Sequence, residues 1–395
     1  MKIAIMMRAM DQDSGFHLYV EGLVEALLRL EVPEMSFLLL YRTRKYFGRF
    51  SSYANATEML LTAPHKLIWD QVVVPYVAWK YQADVIFNPK FTAPLISHCP
   101  VVMGLQEPAW WAWPEHYEKR DVLYQKLMLP LYACKAAHFF PMAQWVIDEN
   151  RKYLKLPFEN ATVTYPGVHP NHKPVTEQRV LAAFREKHHL PDKFILSMTR
   201  VDNPGMDKST KWNPSKNPLT TLQAFLLCRD KIPHHLVIAG RKVREYFLDV
   251  GLTDQDFARV HFVNFIPFEE VPNLYSLADL LVVPAYYESF GFTLLGAIAC
   301  GCPAVVSTTG AFAEVVGDGA LYADPHSPAD CAEKIVRVLQ NDALRKELQQ
   351  KNLARAATYT WEKTARLTLQ GIAQAIDPPH HVMVRHRRTK RPRIE

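Results

Sequence analysis

Short apolar runs alternate along this chain with longer stretches in which apolar residues return every third or fourth position. The first rhythm is that of buried strands, the second that of helices with one buried face. The opening Met1-Lys2-Ile3-Ala4-Ile5-Met6-Met7-Arg8 predicts a strand over 2–7. A glycine-containing turn, Asp13-Ser14-Gly15-Phe16, leads into a helix near 16–30 with Leu18, Val20, Leu23, Val24, Leu27 and Leu28 on its apolar side. Further strands are expected at 36–41, 84–87, 101–105, 138–141 and 161–165, with helices near 120–135 and 143–153.

The segment Pro166-Gly167-Val168-His169-Pro170-Asn171-His172-Lys173-Pro174 is rich in breakers and reads as a connector between two halves. Beyond it a short helix near 176–189 starts a second array. Its strands are expected at 194–199, 235–239, 260–263, 280–284, 304–307 and 320–322, with helices near 218–229, 269–277, 290–300, 328–340, 342–358 and 361–376. Strand–helix alternation of this kind predicts parallel sheets covered by helices on both faces, an α/β chain of two Rossmann-like, doubly wound halves. Two such halves place a ligand crevice between them, at the carboxyl ends of both sheets.

Length and composition narrow the picture. A chain of 395 residues, 49% apolar and 22% charged, has room for two or three domains with full-size cores and is neither disordered nor fibrous. No apolar run approaches the roughly 20 residues of a membrane helix. The opening strand turns polar too soon for a signal peptide. The net charge of +6 is concentrated at one end: residues 385–395 alone carry +5, through Arg385, Arg387, Arg388, Lys390, Arg391 and Arg393 against Glu395. The rest is near neutral, which disfavours nucleic acid as a partner. For the tail, a weak electrostatic tether to anionic membrane is an option. His380, His381 and His386 are too few for a metal site. Six cysteines without metal-knuckle spacing fit small buried residues in a reducing, cytoplasmic setting.

Neither half carries Gly-x-Gly-x-x-Gly after a first strand, a Walker loop or His-Glu-x-x-His, so nicotinamide, P-loop and zinc-protease chemistry are disfavoured. The informative stretch is 284–303, Pro-Ala-Tyr-Tyr-Glu-Ser-Phe-Gly-Phe-Thr-Leu-Leu-Gly-Ala-Ile-Ala-Cys-Gly-Cys-Pro. A buried strand ends at Pro284, a tight turn sets Glu288 at the crevice, and a helix over 290–300 begins there. Its free N–H groups, from Ser289 through Phe290 and Gly291 to Phe292, form a mouth suited to phosphate. Gly291 lets a ligand approach the backbone closely.

This stretch resembles the signature of retaining glycosyltransferases of family 4, glycosyl transferases group 1, whose run is Glu-x-Phe-Gly-x-x-x-x-Glu-Ala-x-Ala-x-Gly-x-Pro. Glu288, Phe290, Gly291, Ala297, Ala299, Gly301 and Pro303 match, as does Val305-Val306-Ser307-Thr308-Thr309-Gly310-Ala311-Phe312-Ala313-Glu314 through Ala320, with Asp324-Pro325 after it. The turn Ser14-Gly15-Phe16-His17 looks like the family's glycine-containing loop, and Tyr359-Thr360-Trp361 like the start of its closing helix. The resemblance implies the GT-B architecture: an acceptor-side domain over 1–173, a nucleotide-sugar domain over 174–360, a closing helix over 361–377 packed back toward the first domain, and a basic tail over 378–395.

It implies, too, that Arg200 and Lys216 of Lys216-Asn217 neutralise the donor's diphosphate, although the spacer Val201–Ser215, with Lys208, Lys211 and Trp212, is longer than usual. Glu288 would meet the hydroxyls of the transferred sugar. Gly15, Gln106 and the backbone at 289–292 would complete the donor site. No metal and no cofactor would be needed beyond the nucleotide-sugar substrate, and no protein nucleophile is expected if the donor phosphate helps deprotonate the acceptor on the front face.

Two departures stand out. Where the family places a ribose-gripping Glu, eight residues after Glu288, this chain has Gly296 between apolar neighbours, leaving Glu314 as a distant candidate. Where many relatives carry His-Asp after the strand 101–105, this chain has Gln106-Glu107, and Gln can hydrogen-bond but not titrate near neutrality. Trp110, Trp111 and Trp113 fit half-buried packing better than a sugar platform. Arg42, Arg44, Lys45 and Arg49 fit a solvated face better than a site for anionic acceptors or lipid headgroups. The expected function is transfer of a hexose from a nucleotide-sugar to a saccharide, lipid-linked glycan or other small acceptor, in the cytoplasm or at the inner membrane face. The alternatives are a degenerate GT-B scaffold that binds a glycan or a partner glycosyltransferase without transfer, and a phosphorylase or epimerase on the same fold.

Overall fold

A computed structural model describes residues 1–11, 15–201, 212 and 215–377. The turn residues Asp13 and Ser14, the cations Lys208 and Lys211, and the basic tail lie outside the described residues.

The first six strands are β1 (Lys2–Met6), β2 (Ser36–Tyr41), β3 (Ala56–Leu60), β4 (Val85–Asn88), β5 (Val101–Leu105) and β6 (His138–Pro141). They form one parallel sheet in the order β3-β2-β1-β4-β5-β6. The next six are β7 (Phe194–Met198), β8 (His235–Ala239), β9 (Val260–Val263), β10 (Leu280–Val283), β11 (Ala304–Ser307) and β12 (Ala320–Ala323). Their sheet runs β12-β11-β10-β7-β8-β9, the same order when each sheet is counted from its own first strand. These are two doubly wound sheets of GT-B type. In each, the chain leaves in opposite directions from the central pair, β1/β4 and β7/β10, and opens a crevice at the strands' carboxyl ends.

The central strands are apolar because both of their faces are covered. Ile3, Ala4, Ile5, Leu196, Leu281 and Val282 have no exposed surface. β3 was not expected from the sequence. As an edge strand it pairs only with β2, and Ala56-Thr57-Glu58-Met59-Leu60 has no need of a continuous apolar run. The strand expected at 161–165 is reduced to an isolated parallel bridge between Phe139 and Ala161, although the Thr162 and Thr164 N–H groups still donate to the β6 carbonyls of Phe139 at 3.0 Å and Pro141 at 2.8 Å.

Helix Trp361–Ile376 belongs in sequence to the second unit but packs on the first. Thr360 caps it, accepting the Lys363 N–H at 3.2 Å. It lies along helix Gly15–Arg29 so closely that a Cβ on Gly22 would stand 2.4 Å from the Trp361 ring. Thr364 donates to the Tyr165 carbonyl at 2.5 Å, and a Cβ on Gly371 would meet Phe140 at 2.5 Å. Buried residues of both units, Ile5 and Leu196 among them, thus belong to one continuous core.

Candidate functional site

The loop after β10 is held by its neighbours before any ligand is considered. Asn217 adopts a left-handed conformation, φ +53°, and its side-chain amide donates to the carbonyls of Pro284 at 2.9 Å and Pro325 at 2.7 Å. Its Oδ1 caps helix Pro218–Cys228 by accepting from Thr220 at 3.3 Å. Asn217 therefore staples the start of that helix to the end of β10, which leaves the adjacent Lys216 to face the crevice. Tyr286 N–H donates to the Ser215 carbonyl at 2.9 Å, a second tie between the same two segments.

Lys216 Nζ donates to Glu288 Oε2 at 3.2 Å, and both side chains are half-buried. Glu288 is fixed from the other side by the loop after β11. Ala311 N–H donates to the Glu288 carbonyl at 3.1 Å. Gly310, at φ +73°, lies so near that a Cβ there would stand 2.5 Å from the same oxygen. Only glycine admits both that backbone conformation and that approach.

The helix after this loop begins later than expected. It spans Phe292–Ala299 rather than 290–300, with Gly291 as its N-cap at φ +97°. The N–H groups without partners inside the helix are therefore those of Phe292, Thr293 and Leu294, not those from Ser289 onward. Two aromatic rings explain the shift. Phe290 is buried in the core against Phe292 and Tyr359, so its ring is structural and only its backbone remains for a ligand. Gly291 runs over Phe312, whose ring a Cβ would meet at 2.9 Å.

Gly15, from the first unit, meets this helix directly: a Cβ there would stand 2.9 Å from the Phe292 ring. The two helix starts thus converge on one cleft of about 220 Å3, lined among others by Gly15, Met198, Thr293 and Gly296. Arg200, half-buried, follows β7 at the same carboxyl end of the second sheet. The structure thus gathers Lys216, Glu288 and the 291–294 backbone around one loop, with Gly15 opposite.

Gly296 has no room for a side chain. Its Cβ would lie 2.7 Å from Cδ2 and 3.1 Å from Nε2 of His172, and 3.1 Å from the Tyr275 ring. His172 comes from the connector, is buried, and packs among His169, Phe268 and Tyr275. Burial pushes its imidazole down to about 4, with His169 adding to the effect, so the ring is neutral at ordinary pH. Glu314, the distant candidate for the missing carboxylate, is engaged elsewhere. Glu314 Oε2 and Oε1 accept the N–H groups of Gln144 at 2.7 Å and Trp145 at 2.6 Å, and Tyr165 donates to Oε2 at 2.9 Å. It caps a helix of the first unit.

Sequence reasoning gave no role to Glu107, which the fold brings against Glu288 and Ser289. Burial, reinforced by the charge of Glu288, raises its carboxyl to about 7 while its own backbone and Ser289 oppose the rise. One of its oxygens, Oε2, is buried without a hydrogen-bond partner. The available signal was its place, an acid just past the carboxyl end of β5. Gln106 beside it uses its carbonyl to accept from buried Asn150 at 2.7 Å.

The tryptophans divide. Trp110 packs on Phe91 and Tyr117, while Trp113 reaches Tyr286 and Tyr287 of the second unit, with centroids 5.9 and 6.5 Å apart. Trp145 meets Tyr287 edge-on at 4.9 Å. Arg49 pairs with Glu21, so part of the basic stretch near residue 45 is engaged within the protein. Trp212 donates to Asp249 at 2.9 Å and packs on Tyr246. Five of the six cysteines are buried, and Cys300 and Cys302 are pushed well above the ordinary thiol range by burial, which makes them inert.

Known proteins resemble this chain over part of its sequence and in its fold. Residues 209–355 match the family model described as Glycosyl transferases group 1. O-antigen chain mannosyltransferase B of Escherichia coli is 31% identical over 160 residues, 40% of this chain and 42% of that protein. The matches to curated relatives span less than half of those proteins' own length. Among solved structures, a glycosyltransferase from Rickettsia africae ESF-5 superposes with a TM-score of 0.71 at 13% identity, covering 96% of this chain and 99% of that one. Anabaena Alr3699/HepE, solved in complex with UDP and glucose, superposes with a TM-score of 0.70 at 17% identity, covering 95% of this chain and all of the other. At such identities the superpositions show the fold. Residues 209–355 thus match the glycosyl transferases group 1 model, within a chain whose two units have the GT-B fold.

Proposed function

We propose that this protein is a retaining glycosyltransferase that moves a hexose from a nucleoside diphosphate sugar to a saccharide or lipid-linked glycan, with its own cations rather than a metal balancing the leaving diphosphate. The observation that carries the reading is the Lys216–Glu288 pair at 3.2 Å beside the mouth of helix Phe292–Ala299. A cation, a carboxylate and free N–H groups side by side suit a ligand that has both phosphate and hydroxyls. The diphosphate lies against the 292–294 N–H groups, Lys216 and Arg200. Glu288 accepts from hydroxyls of the sugar. In the transfer the anomeric C–O bond to the diphosphate breaks, its electron pair leaves with the phosphate, and the acceptor oxygen bonds to the same carbon from the same face. The acceptor proton passes to the departing phosphate oxygen. Charge then grows on the leaving group, where the fixed cations and N–H dipoles stabilise the transition state more than the ground state.

Two comparisons support the reading. The Escherichia coli relative is a mannosyltransferase, and HepE was solved with UDP. The division into an acceptor-side unit, a donor-side unit and a closing helix belongs to the same proposal. One observation favours the alternative of a scaffold that binds without transferring: the space beside Gly296 is filled by His172. Calorimetry with a panel of UDP- and GDP-sugars, followed by product analysis with an acceptor, separates the two. The enzyme binds at least one donor and releases the nucleoside diphosphate; a chain silent to every nucleotide is the scaffold.

A further inference from the structure

The outer side of the first unit carries apolar residues that its folding does not use. The helical run Lys66–Ile68, Trp69–Val73 and Val74–Lys80 buries Trp69, Val74, Val77 and Ala78. On its other side Ile68, Val72, Tyr76 and Trp79 are exposed, Val72 by 59% and Trp79 by 60%. Helix Lys119–Lys135 repeats the arrangement. It buries Leu129, Tyr132 and Ala133, yet Leu123, Leu127 and Leu131, four residues apart, are exposed by 61%, 61% and 51%. Residues four apart share one helix face, so each helix presents a second apolar stripe opposite the one in the core.

The two helices cover one part of the first unit. Both helices bury their inner sides in the same hydrophobic cluster. Tyr132 lies near enough to Asp70 to feel its charge. Ile96, exposed by 83%, is brought alongside by Gln71, which donates to the Ala93 carbonyl and accepts from the Leu95 N–H, both at 2.9 Å.

We propose that this face is a docking surface for an anionic lipid bilayer. Its charge favours that occupant. Segments 66–80 and 119–135 contain the cations Lys66, Lys80, Lys119, Arg120, Lys126 and Lys135 against the acids Asp70 and Asp121. Asp70 is buried against Arg8 at 2.8 Å, and Arg120 is held by Glu118 at 2.5 Å. The remaining lysines flank the apolar stripes, the arrangement of a helix that rests at the headgroup level with its apolar side among the acyl chains. Tyr76 and Trp79 are residue types suited to that interface, with apolar rings and one polar atom. Among the described residues no helix is long and apolar enough to cross a membrane, so contact is with the surface. A second copy of the chain fits less well. An isologous dimer sets the same patch against itself and would bring these lysines together. Helix Lys119–Lys135 starts two residues after Tyr117, a neighbour of Glu107, so the bound face adjoins the crevice.

The test is co-sedimentation of the full chain with vesicles of phosphatidylcholine alone or with about a third phosphatidylglycerol. The native chain is expected to bind the anionic vesicles, more weakly at high salt, with a blue shift of tryptophan emission that W79F diminishes. The variant L123S/L127S/L131S should lose about tenfold or more in partitioning, while L227S, an exposed position in the second unit, should bind like the native chain. A variant in which the six cations of 385–395 are neutralised separates the tail from the face: it should keep the emission shift and the sensitivity to L123S/L127S/L131S. The proposal is overturned if the native chain ignores anionic vesicles, if the triple-leucine variant binds as well as the native chain, or if neutralising the tail abolishes binding outright. Sedimentation velocity showing a native dimer that the leucine variant converts to monomer would also overturn it, by assigning the face to a second copy. None of these outcomes depends on which sugar the crevice accepts.

Discussion

The carboxylate of Glu314 accepts the backbone N–H of Trp145 at 2.6 Å, although the two residues belong to different units of the fold. With the Gln144 bond at 2.7 Å, Glu314 supplies the cap that helix Gln144–Leu154 lacks locally, since Ala143 at the N-cap position has no acceptor to offer. A cap normally comes from the chain just before the helix. Here it comes from about 170 residues away, and it ties the loop after β11 to the first unit. Because that loop also holds Glu288 through Gly310 and Ala311, one segment braces both the site and the contact between units.

Replacing Glu314 with Ala should therefore cost about 1–2 kcal/mol of stability. E314Q, which keeps one acceptor oxygen, should cost less. Denaturant midpoints of the two variants check this, and equal midpoints for E314A and the native chain would remove the cap from the account.

Lys216→Ala should separate activity from stability. The Lys216–Glu288 pair is only half-buried, so its loss should change stability by about 1 kcal/mol or less. If Lys216 carries charge in the transition state, turnover should fall about a hundredfold or more. Single-turnover rates alongside thermal melts decide the matter; a normal rate in K216A would refute the phosphate clamp.

Gly296→Glu should fail to restore a carboxylate at that position. The new Cβ would press on the His172 ring at 2.7 Å, so G296E should destabilise the protein by about 1–3 kcal/mol. Adding H172A to G296E should recover much of that loss, because the ring is what fills the space. A thermodynamic cycle of the two single variants and the double variant reads the coupling; additive effects would show that the ring is not the obstacle.

Glu107 should leave its mark on stability as a function of pH. Its carboxyl titrates at about 7 in the folded protein and in the ordinary glutamate range, about 4.3, once unfolded. The folded state then holds the proton more tightly. Its contribution is fully present below the unfolded value and is lost as pH rises through the folded one. The groups that face it are Glu288 and Ser289 from the loop after β10, with Tyr117 and Tyr287 feeling its charge. E107Q, which stays neutral, should match the native chain near pH 4 and exceed it at pH 8 by up to about 3 kcal/mol. Melts of both proteins across that range test it, and parallel curves would rule it out.

Much of the fold was legible because it rests on local pattern. Strands such as Leu280–Val283 and Ala304–Ser307 are covered on both faces and so read as unbroken apolar runs. Amphipathic helices such as Pro328–Leu339 show one buried side. β3 hid because an edge strand is half solvated. The run 66–80 hid because it is apolar on both sides, which leaves no helical period to see.

The site divides in the same way. Glu288 and Gly291 were singled out because they lie at the junction of a strand and a helix, where chain order dictates which groups meet at the sheet's carboxyl edge, whereas Lys216 was singled out only through the family resemblance. Four relationships were decided only in three dimensions: His172 filling the space at Gly296, Glu314 capping a distant helix, Glu107 meeting Glu288, and the two helices with exposed stripes sharing one buried cluster. In each, the partners are far apart along the chain and are joined by packing between layers. Local periodicity records which side of an element is buried, but not what is buried against it.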